Sequence, residues 1–549
     1  MGIPSYFTHI VRQHRKVIKS FTPSTFKINN LYLDCNSFIY EAHALASTAG
    51  TSTSGTSTAG TGTSTSTAGT SKAGAHEQGI IQAVCEKLVQ YIGQLKPNKR
   101  VFIAFDGVAP MAKLNQQRNR RYMTAFQASL NPTEQRWNTS AITPGTQFMG
   151  ALSVAVRQRF SQPQEFGLDA IVVSASDEHG EGEHKIYQYI RADAAYHKDT
   201  CTVIYGLDAD LIMLTLNHLH ISDQMYLFRE TPEFIKSVDK TLNPNETYML
   251  DIPLMAKGIA TEMAGTDKYN PDVVFDYIFL CFFLGNDFLP HFPALNIRTK
   301  GIERLTSAYK HLFQGTQGTS AAGTLTHNRQ IIWKNVRLLI SHLADQEHTF
   351  FLEEYAYREK FSKNMNGQGH MNGQEDKDML MPLKERAIEI YINPRETGWE
   401  ARYYRALFKS QRDLDRRGEI STNYLEGLEW TLKYYSTGCA DWRWTYNYYY
   451  PPLLSDLIKY VPYFAYTFVP EQPERPVAPL VQLSYVLPPS SMTLLPAHLK
   501  ETLLLKKPEW YVGNYFFHWS FCKFFWEAHV DLPQIDMKEL EEIVRLNNS

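Results

Sequence analysis

The chain has 549 residues, 43% of them apolar and 20% charged, with a formal net charge of −2. That length supports a sizeable core and two or more domains, and the neutral balance excludes a uniformly basic surface, so any phosphate-binding patch must be local. The six cysteines are scattered without a CxxC pair, which argues for a reducing compartment and against structural zinc.

The first 21 residues, MGIPSYFTHIVRQHRKVIKSF, contain no apolar segment flanked by a cleavage site, so no signal peptide is expected. The run NLYLD (30–34) predicts a buried strand. Residues 47–74 are almost purely Ser, Thr, Ala and Gly; such a tract cannot bury enough apolar area to offset its ordering entropy, and a flexible loop is expected. Helical periodicity follows over 77–95. RVFIAFD (100–106), DAIVVSAS (169–176) and CTVIYGLD (201–208) are short, nearly continuous apolar runs that predict further parallel strands. Strands alternating with helical patterns imply an α/β domain with a parallel sheet. The longest apolar run, 277–284, is too short to span a bilayer. Irregular stretches at 314–326 and 363–378 separate this front block from a back block beginning near 380. The expected organisation is a core over 1–310, a connecting segment over 311–395 and a second region over 396–549.

Three of the predicted strands finish on an aspartate: Asp34, Asp106 and Asp208. Ligands bind at the carboxyl ends of strands in open parallel sheets. Asp210 follows closely, the Gly-Glu-Gly-Glu-His-Lys turn adds Glu181 and Glu183, and Asp287 follows the apolar run. One aspartate in such a place is ordinarily a turn or cap residue. Seven convergent ones are different, because two like charges ~4 Å apart repel by roughly 4 kcal/mol at an effective dielectric of 20. Carboxylate donors favour Mg²⁺ or Mn²⁺, and two such ions are the usual device for phosphodiester hydrolysis. Asp177 and Glu178 read instead as solvated loop residues.

Pro110 is placed to open a helix on which Lys113, Gln117, Arg120 and Arg121 share one face. Between Leu95 and Arg121 there are seven Lys/Arg and one acid, a positive patch directly behind a candidate metal ligand. Arg and Gln can clamp phosphate oxygens with several hydrogen bonds.

The motifs MGIPSYF, NLYLDCNSFIY, FIAFDGVAPMAKLNQQRNRR, TPGTQFM, GEGEHKI, YGLDADLIML and FLCFFLGNDFLPHFP resemble, in order, the first conserved region of Xrn-type 5′→3′ exoribonucleases. GLEWTLKYYSTGCADWRWTYNYYYPPLLSDL (427–457) and LPPSSMTLLP (487–496) resemble the second. The resemblance implies a PIN-like, flap-nuclease-like core wrapped by a mostly helical second region that closes the active site. It implies processive removal of nucleotides from single-stranded RNA bearing a 5′-monophosphate, with two Mg²⁺ ions for which Mn²⁺ can substitute. Carried over by motif, the metal site falls on Asp34, Asp106, Glu181, Glu183, Asp208, Asp210 and Asp287, and the 5′-phosphate pocket on Lys113, Gln117, Arg120 and Arg121. Where the family's DMNGIIH motif ends in a base-stacking His, this chain has Tyr40, which can also stack. Trp442 or Trp444 of ADWRW is the expected partner aromatic. The chain resembles a minimal member without the long C-terminal extension. It is expected to be a monomer, off the membrane and inside the cell, in the cytoplasm rather than the nucleus. The alternatives are a flap-type DNA endonuclease, which shares the acidic core, and a catalytically silent RNA-binding protein.

Overall fold

The computed structural model describes all residues except 1, 2, 4, 21–26, 52–71, 131–136, 233–234, 266–268, 315–322, 368–378, 409–415, 514 and 548–549. Most of the expected 47–74 loop therefore lies outside the described residues. Its two ends are helical, because α2 (Asn36–Thr51) runs into it and α3 (Lys72–Leu95) emerges from it. Much of the expected irregular stretches at 314–326 and 363–378 also lies outside.

Seven strands build one sheet: β1 (Ile18–Ser20), β2 (Asn30–Asp34), β3 (Arg100–Ala104), β4 (Ala170–Ser174), β5 (Thr202–Tyr205), β6 (Met225–Glu230) and β7 (Thr247–Asp251). Their order is β1-β7-β6-β5-β2-β3-β4. The pairs β2–β3, β3–β4, β2–β5 and β5–β6 are parallel, and β7 runs antiparallel to both β6 and β1. The order reverses at β2: β3 and β4 lie on one side and β5 on the other. Such a switch point opens a crevice above the strand ends.

Alternation along each strand sends side chains to two separate cores. Tyr32, Phe102, Ile204, Leu227 and Leu250 enter the larger one. Leu31, Leu33, Val101, Ile103, Val203 and Tyr205 enter the smaller, which α2, α3 and α5 (Gln147–Arg159) cover. Strands buried on both faces need continuous apolar runs, which is why these segments carry them.

The larger core draws on α1 (Tyr6–Gln13), α6 (Gly182–Ala192), α7 (Asp210–His218), α8 (Ile252–Ala264), α9 (Pro271–Phe282) and α10 (Arg416–Ser436). It continues without interruption across residue 310. A third cluster packs Val108, Met111 and Leu114, at the start of α4 (Met111–Leu130), against α11 (Pro479–Val486) and α12 (Met537–Asn547). The back block thus touches the sheet domain through two apolar surfaces. Among the described residues, no helix is long and apolar enough to cross a membrane.

Candidate active site

The crevice at the switch point is where the acids gather. Only Asp34 ends its strand; Asp106 and Asp208 lie two and three residues beyond β3 and β5, so the approach to the crevice is by loops rather than by strand ends. Asp106 is fixed from two sides. Asn36 donates its side-chain amide to Asp106 Oδ2 at 2.5 Å and accepts from the Asp106 N–H at 3.1 Å. The Gly182 N–H donates to Asp106 Oδ1 at 2.7 Å. A Cβ on Gly182 would stand 2.6 Å from Asp34 Oδ1, so glycine is required for Glu181 and Glu183 to approach the strand-end acids this closely.

Glu181 and Glu183 are buried at the start of α6, and Asp210 is buried at the start of α7. The Lys113 ammonium sits between Glu181 Oε2 at 2.5 Å and Asp287 Oδ2 at 2.7 Å. It thus serves as counter-ion to the acidic site, on the helix face expected to hold phosphate. Burial opposes its charge, but Asp287, Glu181 and Glu183 keep the ammonium protonated. In return, although burial opposes the charge of Asp287, Lys113 and Arg120 are among the positive charges that hold that carboxyl below the usual range.

One ammonium does not balance this cluster. Burial, then Asp106, Asp208 and Glu181, push the Asp34 carboxyl well above the ordinary range. Burial, then Asp210 and Glu181, do the same to Glu183. Burial and Asp287 raise Asp210 to about 7. Each interaction places one acid in the field of another.

The residues present suit a hard divalent cation. The donors are carboxylate oxygens, and Asp210 Oδ1 is buried without a hydrogen-bond partner. Glu181, Glu183 and His184 offer ligand atoms that all lie within 4.8 Å of one another. His184 was not expected here. Burial holds its ring well below the usual histidine range, hence neutral and able to accept. It stacks on Tyr434 at 3.7 Å, and the Tyr434 hydroxyl donates to Glu181 Oε1 at 2.8 Å. Tyr434 arrives from the back block 253 residues away, a pairing no local pattern reveals.

The basic face of α4 divides by depth. Arg120 is exposed, and its charge acts on both Asp208 and Asp287. Arg121 is desolvated enough to fall to about 10, lies within the field of Tyr40 and donates to the Ile142 carbonyl. Gln117 accepts from Gln482 at 3.4 Å. Tyr40 is 47% exposed. Of the two tryptophans, Trp444 is buried, stacked on Trp430 at 5.1 Å and hydrogen-bonded to Glu426. Trp442 is half-buried and lies edge-on to His179 at 5.4 Å. Asp177 and Glu178 are exposed; Asp177 forms a two-pronged pair with Arg157.

Residues 1–231 match the model of the XRN 5′-3′ exonuclease N-terminus. Residues 268–389 and 384–549 match that of the Xrn1 helical domain. The chain is 26% identical to the 5′-3′ exoribonuclease 2 homolog of Drosophila melanogaster, over 98% of this chain and 70% of the fly protein. It is 27% identical to human 5′-3′ exoribonuclease 1 over its whole length but only 34% of the human protein. With 5′-3′ exoribonuclease 1 of Saccharomyces cerevisiae it shares 26% identity over 90% of this chain and 40% of the yeast protein.

Proposed function

The chain belongs to the Xrn 5′-3′ exonuclease family, and from that premise we propose that it is a monomeric, processive 5′→3′ exoribonuclease acting inside the cell on single-stranded 5′-monophosphorylated RNA. The observation that carries this is the acidic crevice above β2, where Lys113 pairs with Glu181 and Asp287, the neighbouring acids act on one another, and Arg120 acts on Asp208 and Asp287 from the helix face beside them. The sheet with its switch point supports a PIN-like core.

Asp34, Asp106, Glu181, Glu183, Asp208, Asp210 and Asp287 would hold two Mg²⁺ ions. When bound, these ions supply an activated water and offset the charge on attacking and leaving oxygens. Lys113 keeps Glu181 and Asp287 in place, and Asn36 with the Gly182 N–H orients Asp106. Arg120, with Arg121 and Gln117 behind it, binds the 5′-phosphate and favours it over caps and triphosphates. Tyr40 and Trp442 are the aromatics available to a terminal base, since Trp444 is built into the core.

The test is degradation of 5′-monophosphate, 5′-hydroxyl and 5′-triphosphate RNA, with and without EDTA, and of flapped DNA. Mononucleotide release from the 5′-monophosphate RNA alone, abolished by EDTA and by Asp208→Asn, is expected. Turnover persisting in Asp208→Asn rejects the metal assignment. Preferential cleavage of flapped DNA rejects the substrate.

A further inference from the structure

Asp287 and Arg120 line a cavity of about 1860 Å³ that runs between α4, the loop from Leu284 to Arg298 and the back block. On its rim, far along the chain from the acids, Phe524 and Trp526 stack face to face, with ring centroids 4.1 Å apart and planes 12° from parallel. Trp526 is 40% exposed although it lines the cavity. A tryptophan left this open is not filling a core. Cations surround the pair: the Lys523 ammonium lies 4.8 Å from the Phe524 ring centroid and the Arg298 guanidinium 5.5 Å. Arg298 pairs with Glu527 at 2.6 Å. That pairing offsets Glu527, and Lys523 with the exposed Lys300 brings further positive charge to a cavity that Glu303 and Asp531 also line.

We propose that the Phe524–Trp526 pair is a stacking platform for a base of the RNA strand 3′ of the reacting nucleotide, with Lys523 and Lys300 meeting its phosphates. Aromatic faces interleaved with cations are how proteins hold single strands without reading sequence. The cavity that joins the platform to Asp287 makes the strand, rather than another ligand, its occupant. A duplex would have its bases already stacked and could not present a face to Trp526, so the platform also selects single strands. This inference rests on the exoribonuclease reading.

The experiment compares the full chain with Trp526→Ala and Trp526→Phe. Initial rates are taken on 5′-monophosphorylated RNAs of 4 and 30 nucleotides with Mg²⁺. Fluorescence anisotropy of a labelled 30-mer is read in EDTA, where turnover plays no part. Trp526→Ala is expected to raise the ratio of KM for the 30-mer to KM for the 4-mer about fivefold or more, the low end for loss of a stacking side chain. It should weaken 30-mer binding in EDTA by a similar factor, and Trp526→Phe should restore most of both. An equal rise in KM for both lengths, or no change in binding, overturns the platform. If the wild-type protein degrades no RNA, the exoribonuclease reading fails by itself. The anisotropy arm then still decides: weakened binding in Trp526→Ala supports the platform, and unchanged binding overturns it.

Discussion

Asp34, Glu183 and Asp210 are held above the ordinary carboxylate range by burial and by one another, and this has a measurable cost. A carboxyl whose folded pKa is raised binds its proton more tightly in the folded state than in the unfolded one. The stability it contributes therefore falls as pH rises from the ordinary aspartate range towards the folded value, which is about 7 for Asp210. In the metal-free protein these acids should subtract stability between pH 5 and pH 8, by at most about 1.4 kcal/mol per pH unit per group. Buried histidines held below their usual range, such as His218, His291 and His529, add stability up to their ordinary value of 6.5, so the net loss of Tm is expected above pH 6.5. Saturating Mg²⁺ should flatten that loss, since cation binding stabilises the ionised acids. Asp276 and Glu347 are also raised to about 7 by burial, but they bind the backbone at 325–326 and 454–455. Their share of the slope is the same with and without Mg²⁺, so the difference between the two melting profiles isolates the acidic site. Superimposable profiles would place the cation elsewhere.

At the scale of the element, α4 carries two duties on one face. Lys113 at its start is consumed by the acids, while Arg120, two turns on, remains exposed beside them. Arg120→Ala should lower the preference for 5′-monophosphate over 5′-hydroxyl RNA about tenfold, the scale of losing one charge-assisted contact, with little change in Tm. An unchanged preference in competition assays would move the phosphate pocket off this helix. Spacing alone brought these four side chains to one face, but it could not rank them by depth, because their partners Glu181, Asp287, Ile142 and Gln482 lie on other elements. The same divide separates the strands. β2, β3 and β5 are legible because burial on both faces demands apolar runs, and β4, half-buried at the sheet edge, because AIVVS is a nearly unbroken β-branched run. β1 reads as IKS, three residues too short to show a period, while β6 and β7 read as MYLFRE and TYMLD, with apolar runs of four and three residues that do not stand out from their surroundings. Asn36, His184 and Tyr434 at the site carried no pattern of their own; each takes its meaning from a partner that only folding supplies.

For the whole molecule, the organisation suggested by gaps in the sequence is not an organisation of separate cores. Tyr424, Leu425, Leu428, Trp430 and Leu432 of α10 are buried to within 1% of complete in the same cluster as Ile204 and Leu211 of the sheet domain. At about 1.5–3 kcal/mol for each such side chain, these five contribute roughly 7–15 kcal/mol, as large as the net stability of a typical protein. Tyr434 of the same helix also reaches the acidic site through Glu181. A chain ending at residue 310 should therefore fail to fold into a working nuclease: circular dichroism should show no cooperative melt, and 5′-monophosphorylated RNA should survive. A cooperative transition near the full-length Tm would mean that the sheet domain closes its own core and that the back block only closes over it. The fragment's melt thus decides whether the active site is built by one region and covered by the other, or built by both.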